Sequence, residues 1–160
     1  MKEIIRDNFS ILFGSDGYFK LANFIQENNF KKILILTDEN TKVHCLDLFF
    51  SNIKKTDKKI AEMISSNSYY FSVEPGENAK NLKTSNHIWE FLTENGFKRN
   101  DLIINLGGGM VSDLGGFVAS TYMRGIQFIN IPTTLLGMVD ASIGGKTGID
   151  LNGIKNITNF

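Results

Sequence analysis

Apolar residues fall along this chain in short unbroken runs, and between the runs they recur every three or four positions. Ile33-Leu34-Ile35-Leu36 is such a run, with the continuous character of a strand covered on both faces. Residues 69–73, 102–106 and 126–131 read as further strands. Two smaller runs, Ile4-Ile5 and Ile11-Leu12-Phe13, flank Asp7-Asn8 and predict a hairpin. Helical spacing joins Leu21, Phe24 and Ile25, with Asp16 as a candidate cap. A helix is expected near 42–50, and 65–68 reads as loop. Leu82, Ile88, Phe91 and Leu92 form a stripe closed by Asn95-Gly96. Leu114, Phe117, Val118 and Tyr122 form another, with Gly125 after it. Strand and helix alternate, which predicts an α/β fold with a largely parallel sheet flanked by helices.

That pattern puts four polar segments just after strands, where ligands of parallel sheets sit. They are Asp38, the segment Pro75-Gly76-Glu77-Asn78-Ala79-Lys80, Gly107-Gly108-Gly109, and Thr133-Thr134. Three glycines entering a helix let backbone approach a phosphate, and the helix start offers unpaired N–H groups. The G-x-G-x-x-G spacing is absent. Asp38 suits the hydroxyls of an adenine ribose, and equally a helix cap. Gly115-Gly116 lies inside a helix, where each glycine costs about 1 kcal/mol relative to alanine; a close backbone or ligand contact would account for it. Gly145-Lys146-Thr147 invites comparison with the P-loop, but the position of that motif's first glycine is Asp140.

Composition narrows the choice. Hydrophobic residues make up 42%, and 17 basic residues cancel 17 acidic ones, so charge argues for neither nucleic acid nor membrane as partner. Lys54, Lys55, Lys58 and Lys59 surround Asp57 and read as a solvated surface. The lone Cys45 excludes an internal disulfide and reads as a small buried apolar residue. No signal peptide or spanning segment is evident, and a cytoplasmic protein is expected. His44 and His87 have no short-spaced ligand set around them, so a metal site built wholly from this chain is not expected. Arg124, Asp140, Lys146, Lys155 and Asn156 place cations, a carboxylate and an amide among glycines and threonines, suited to gripping a substrate phosphate or carboxylate.

These motifs resemble those of 3-dehydroquinate synthases. The resemblance lies in 107–125 (Gly107-Gly108-Gly109-Met110-Val111-Ser112-Asp113 onward), Pro132-Thr133-Thr134-Leu135-Leu136, and Val139-Asp140-Ala141-Ser142-Ile143-Gly144-Gly145-Lys146-Thr147-Gly148. Thr37-Asp38-Glu39-Asn40 and the 75–80 segment also agree. Two departures stand out: Ile154 precedes Lys155-Asn156 where the family has glycine, and Ile157-Thr158-Asn159 follows.

The resemblance implies a Rossmann-like NAD-binding domain over residues 1–160. It further implies a helical C-terminal domain, outside this sequence, carrying a glutamate and two histidines for a divalent metal, zinc or cobalt. The implied activity is a lyase of the shikimate pathway, in aromatic amino acid and chorismate biosynthesis. It eliminates phosphate from a seven-carbon keto-sugar acid phosphate and closes the ring of 3-dehydroquinate, with NAD taking a hydride and returning it. Asp38 would hold the ribose. Pro75, Gly76, Glu77, Asn78, Ala79, Lys80, Gly107, Gly108, Gly109, Met110, Val111, Ser112, Asp113, Thr133 and Thr134 would line the cofactor, with Lys146 and Lys155 at its nicotinamide end. Arg124, Asp140, Lys146 and Asn156 would face the substrate. A homodimer is implied, and the isolated 160 residues are expected to be inactive. The same motifs fit inosose or valiolone synthases; a glycerol or iron-dependent alcohol dehydrogenase, disfavoured by 142–148; or a non-catalytic NAD-binding module.

Overall fold

A computed structural model describes residues 3–5, 10–143, 147–151, 154 and 156. Its centre is a four-stranded sheet in the order β4-β3-β5-β6, parallel throughout. The strands are β3 (Ile33–Asp38), β4 (Ser68–Val73), β5 (Leu102–Gly107) and β6 (Gln127–Pro132). The unbroken apolar runs take the two middle places: every residue of β5 is buried, and all of β3 but Asp38. Alternate side chains of these strands feed two cores. Ile33, Ile35, Leu102, Ile104 and Leu106 meet α1 (Gly14–Asn28), α2 (Glu39–Thr56) and α3 (Lys58–Asn67) on one face. Leu34, Leu36 and Ile103 meet α4 (Leu82–Glu94) and α5 (Gly109–Thr121) on the other. Each fully buried Leu or Ile contributes about 2 kcal/mol.

The chain leaves β3 in one direction to reach β4, then crosses back to lay β5 on the other side of β3. That reversal opens a crevice between the carboxyl ends of β3 and β5. The predicted hairpin is a separate two-stranded unit, β1 (Glu3–Ile5) antiparallel to β2 (Ser10–Leu12); Asp7-Asn8 lies outside the described residues.

Several expectations need correction. Residues 65–67 are helical, not loop: burial of Ile60, Ala61 and Ile64 carries α3 on to Asn67, against the local preference of Ser65-Ser66-Asn67. Asp16 does not cap α1, which begins after Phe13 and holds Asp16 in its first turn, favourably placed in the helix dipole. Phe24 and Leu82 are exposed. Cys45 is half-buried, not buried. Burial first and Asp38 second push its thiol up, so it stays protonated and is no nucleophile. The lysines around Asp57 are surface residues, and both histidines lie exposed on helices.

Candidate functional site

The four predicted loops do converge, because their strands are parallel and in register: Asp38 pairs with Val73, and Gly107 with Pro132. The Thr133 N–H donates to Gly107 O at 2.9 Å, locking the β6 loop to the glycine turn. The first N–H of α5 to find a backbone acceptor is that of Ser112, on Gly108 O at 3.1 Å. Gly108 itself offers no side-chain cap. The donors ahead of Ser112 therefore face the crevice at the positive end of the helix dipole.

The glycines are there for space. A Cβ on Gly107 would stand 2.5 Å from Val111 Cβ, one on Gly108 3.2 Å from Thr134 Cγ2, and one on Gly109 3.3 Å from Ala141 Cβ. The hydroxyls of Ser112, Thr133 and Ser142 are buried and have no hydrogen-bond partner among the described residues. A bare helix start, glycines packed against its neighbours and orphaned hydroxyls around it fit a pyrophosphate. Among the described residues no group of three His, Cys, Asp or Glu stands ready for a metal ion.

Both readings of Asp38 meet at one position. It ends β3 at the crevice and also caps α2: its Oδ1 accepts the Thr41 N–H at 2.8 Å, while Thr41 Oγ1 accepts the Asp38 N–H at 3.0 Å. Gly76 sits at φ 99°, a turn that asks for glycine, and is followed by the short helical turn Glu77–Ala79. Pro75, Gly76, Glu77 and Asn78 are exposed; Ala79 and Lys80 are buried.

Lys80, expected only as a lining residue, is the hub. Its side chain is 3% exposed, and its ammonium donates to Asn156 Oδ1 at 2.9 Å and Asp113 Oδ2 at 3.2 Å. Glu77 Oε2 lies 3.2 Å away and Asp150 Oδ1 3.6 Å. Burial pulls Lys80 down, but the carboxylates of Asp113 and Glu77 outweigh it and hold the group above the ordinary lysine value. Asp113 is also raised: burial is the larger cause, Lys80 opposes it, and Glu77 and Asp140 add to the rise. The two shifts run upward for different reasons: carboxylate neighbours outweigh burial at Lys80, and burial outweighs the ammonium at Asp113.

Asp140 lies exposed in the helical turn Gly137–Ala141 after β6, near enough to influence Asp113. Lys146 and Lys155 lie outside the described residues. Their neighbours bracket the site: Ala141 packs toward Gly109, and Thr147 toward Gly116, where an added Cβ would fall 2.2 Å from Thr147 Cγ2. Arg124 is not brought together with the others. It is exposed at φ 64°, before β6, while Thr133 and Asp140 follow that strand, whose six residues span about 20 Å.

Sequence reasoning missed Asp150. Its N–H donates to Lys80 O at 2.8 Å and its Oδ1 accepts the Asn156 N–H at 3.0 Å. The missing glycine before Lys155 is also explained. Ile154 exchanges two backbone hydrogen bonds with Leu151, each 3.0 Å, and Asn156 takes the left-handed conformation at φ 51°. A surface groove of about 390 Å³ between α2 and α3, lined by Phe50, Lys54, Lys58 and Glu62 among others, lies at the end of α2 remote from Asp38.

Known proteins share this sequence pattern and fold. A family model described as 3-dehydroquinate synthase N-terminal matches residues 70–160. A 3-dehydroquinate synthase of Parabacteroides distasonis is 42% identical over 137 residues, which are 86% of this chain and 36% of that protein. The chain thus spans about a third of that relative's length. A solved 2-deoxy-scyllo-inosose synthase, complexed with carbaglucose-6-phosphate, NAD+ and Co2+, shares the fold with TM-score 0.80 at 24% identity, over 99% of this chain and 41% of that one. A 2-epi-5-epi-valiolone synthase from Streptomyces hygroscopicus, with NAD+ and Zn2+ bound, has TM-score 0.65 and 26% identity over 88% of this chain and 37% of its own. A family match across more than half the chain, falling on the glycine turn, the β6 loop and the Lys80 hub alike, establishes that the chain belongs to the 3-dehydroquinate synthase family.

Proposed function

We propose that this chain is the NAD-binding part of a 3-dehydroquinate synthase, acting on a sugar acid phosphate within a cytoplasmic homodimer. The observation that carries the reading is the bare start of α5 at the crevice between β3 and β5, ringed by the orphaned hydroxyls of Ser112, Thr133 and Ser142. When bound, NAD supplies a hydride acceptor that returns the hydride before the cycle closes. The chain's own residues bind and orient. N–H groups ahead of Ser112 take the pyrophosphate, Asp38 takes the ribose, and Asn156, held by the Lys80 ammonium, presents its side-chain amide toward the nicotinamide end. Asp140 and Lys146 face the substrate. The divalent metal, zinc or cobalt, belongs to the part of the relatives that the match does not cover.

Calorimetric titration of this chain with NAD tests the reading. Saturable binding of one NAD per chain is expected, lost on Gly109→Val, which drives a branched side chain toward Ala141 and the phosphate. Absence of binding by the unmodified chain overturns it. Without the metal-bearing part, no turnover of the sugar acid phosphate is expected even with zinc added; measurable phosphate release would refute the division of labour. Another sugar phosphate cyclase remains the second reading, favoured by the likeness to the inosose synthase fold.

A further inference from the structure

We propose that Asp150 is a positioning residue, fixing Asn156 and the Lys80 ammonium in the geometry in which they meet their ligand. This rests on the reading above that Lys80 and Asn156 belong to the NAD and substrate site.

Asp150 is held from two sides. Its N–H donates to Lys80 O at 2.8 Å, and it forms a parallel bridge with Asn81, the residue that caps α4 by accepting the Thr84 N–H at 2.9 Å. The backbone of Asp150 is thereby tied to a helix start. From that anchor its carboxylate reaches across a tight turn, closed by the reciprocal Leu151 and Ile154 hydrogen bonds, to accept the Asn156 N–H at 3.0 Å. The same Oδ1 lies 3.6 Å from Lys80 Nζ, which in turn donates to Asn156 Oδ1 at 2.9 Å.

Three groups thus close a triangle: carboxylate to amide N–H, ammonium to amide oxygen, ammonium to carboxylate. Asn156 sits at φ 51°, a left-handed conformation that asparagine tolerates well, and the Asp150 carboxylate holds its backbone N–H in that place. An amide in place of the carboxylate keeps the acceptor for the Asn156 N–H and forfeits the charge facing Lys80. Alanine forfeits both.

Two readouts on the 160-residue chain test the role. In nuclear magnetic resonance, a carboxylate acceptor shifts the Asn156 amide proton downfield. Asp150→Ala is expected to move it upfield, and Asp150→Asn to retain most of the shift. By calorimetry, NAD affinity is expected to fall about tenfold in Asp150→Ala, the loss expected for one charge-assisted hydrogen bond. Asp150→Asn should recover most of it. An Asn156 amide indifferent to Asp150→Ala overturns the proposal, as does undiminished NAD affinity in Asp150→Ala. If the unmodified chain binds no NAD while the amide still responds to Asp150→Ala, the cofactor reading fails and the positioning contact stands. Should Asp150→Ala not fold, Asp150→Leu, which keeps the shape and removes the acceptor, takes its place in both readouts.

Discussion

Lys80 carries the largest energetic stake of any single side chain in the site. Replacing it by methionine keeps the volume and leaves Glu77, Asp113 and Asp150 facing one another without a cation. A loss of about 3 kcal/mol is expected, read from urea unfolding at neutral pH. Because the folded-state pKa of Lys80 is raised, its contribution is full below the ordinary lysine range and disappears as the pH climbs through the raised value. Asp113 has the same sign and a different window. Its raised carboxyl favours the folded chain in acid, and that benefit is lost as the pH rises from the ordinary aspartate value through the raised one. Asp113→Asn should flatten unfolding midpoints across that interval. Gly115 offers a steric counterpart. Its missing Cβ would fall 1.9 Å from Asn105 Oδ1, and Asn105 is fully buried and donates to Asn130 Oδ1 at 2.8 Å, so it has nowhere to move. Gly115→Ala should cost about 3 kcal/mol, and Asn105→Ala in the same chain should restore part of it. The glycine pair announced a close contact in the sequence; that the contact is an asparagine on β5 and a threonine beyond β6 depends on a strand pairing no local pattern contains.

Among the elements, legibility followed burial. β3 and β5 were plain as unbroken apolar runs because both their faces are covered, and α4 and α5 were plain as stripes. The end of α3 was not, since Ser65, Ser66 and Asn67 are held helical by what Ile60 and Ile64 touch rather than by their own preference. The α2 cap at Asp38 was legible as one of two roles, and it is the one the hydrogen bonds show. Asp38→Ala should therefore lower stability by about 1 kcal/mol through the lost cap. NAD affinity should fall as well, whereas Thr41→Val, which removes only the reciprocal half of the capping box, should spare it. Calorimetry beside urea unfolding separates the two losses.

For the molecule as a whole, the strand order put the glycine turn, Asp38 and the β6 loop at one crevice, as the alternation of elements led one to expect. Arg124 and Asp140, grouped by sequence proximity, have a full strand between them, which sixteen positions of sequence do not reveal. The Lys80 hub was hidden for the opposite reason: Asp113 is 33 positions away and Asn156 is 76, so no window of sequence contains it. Stability should also be unevenly shared. Among the described residues β1 and β2 pair only with each other, and Ile5 is largely exposed, so hydrogen exchange should be fast there and slowest in β3 and β5.

The 76-residue reach of Lys80 has a consequence for synthesis. A nascent chain exposes Lys80 and its companion Glu77 long before the ribosome releases the asparagine that completes their set. Throughout that interval the sheet strands can emerge and pair, yet the ammonium has its last acceptor still in the exit tunnel. The proposed grip on a dinucleotide is therefore complete only once Asn156 has emerged, and a chain that stops short of it has its strands assembled and that grip unset.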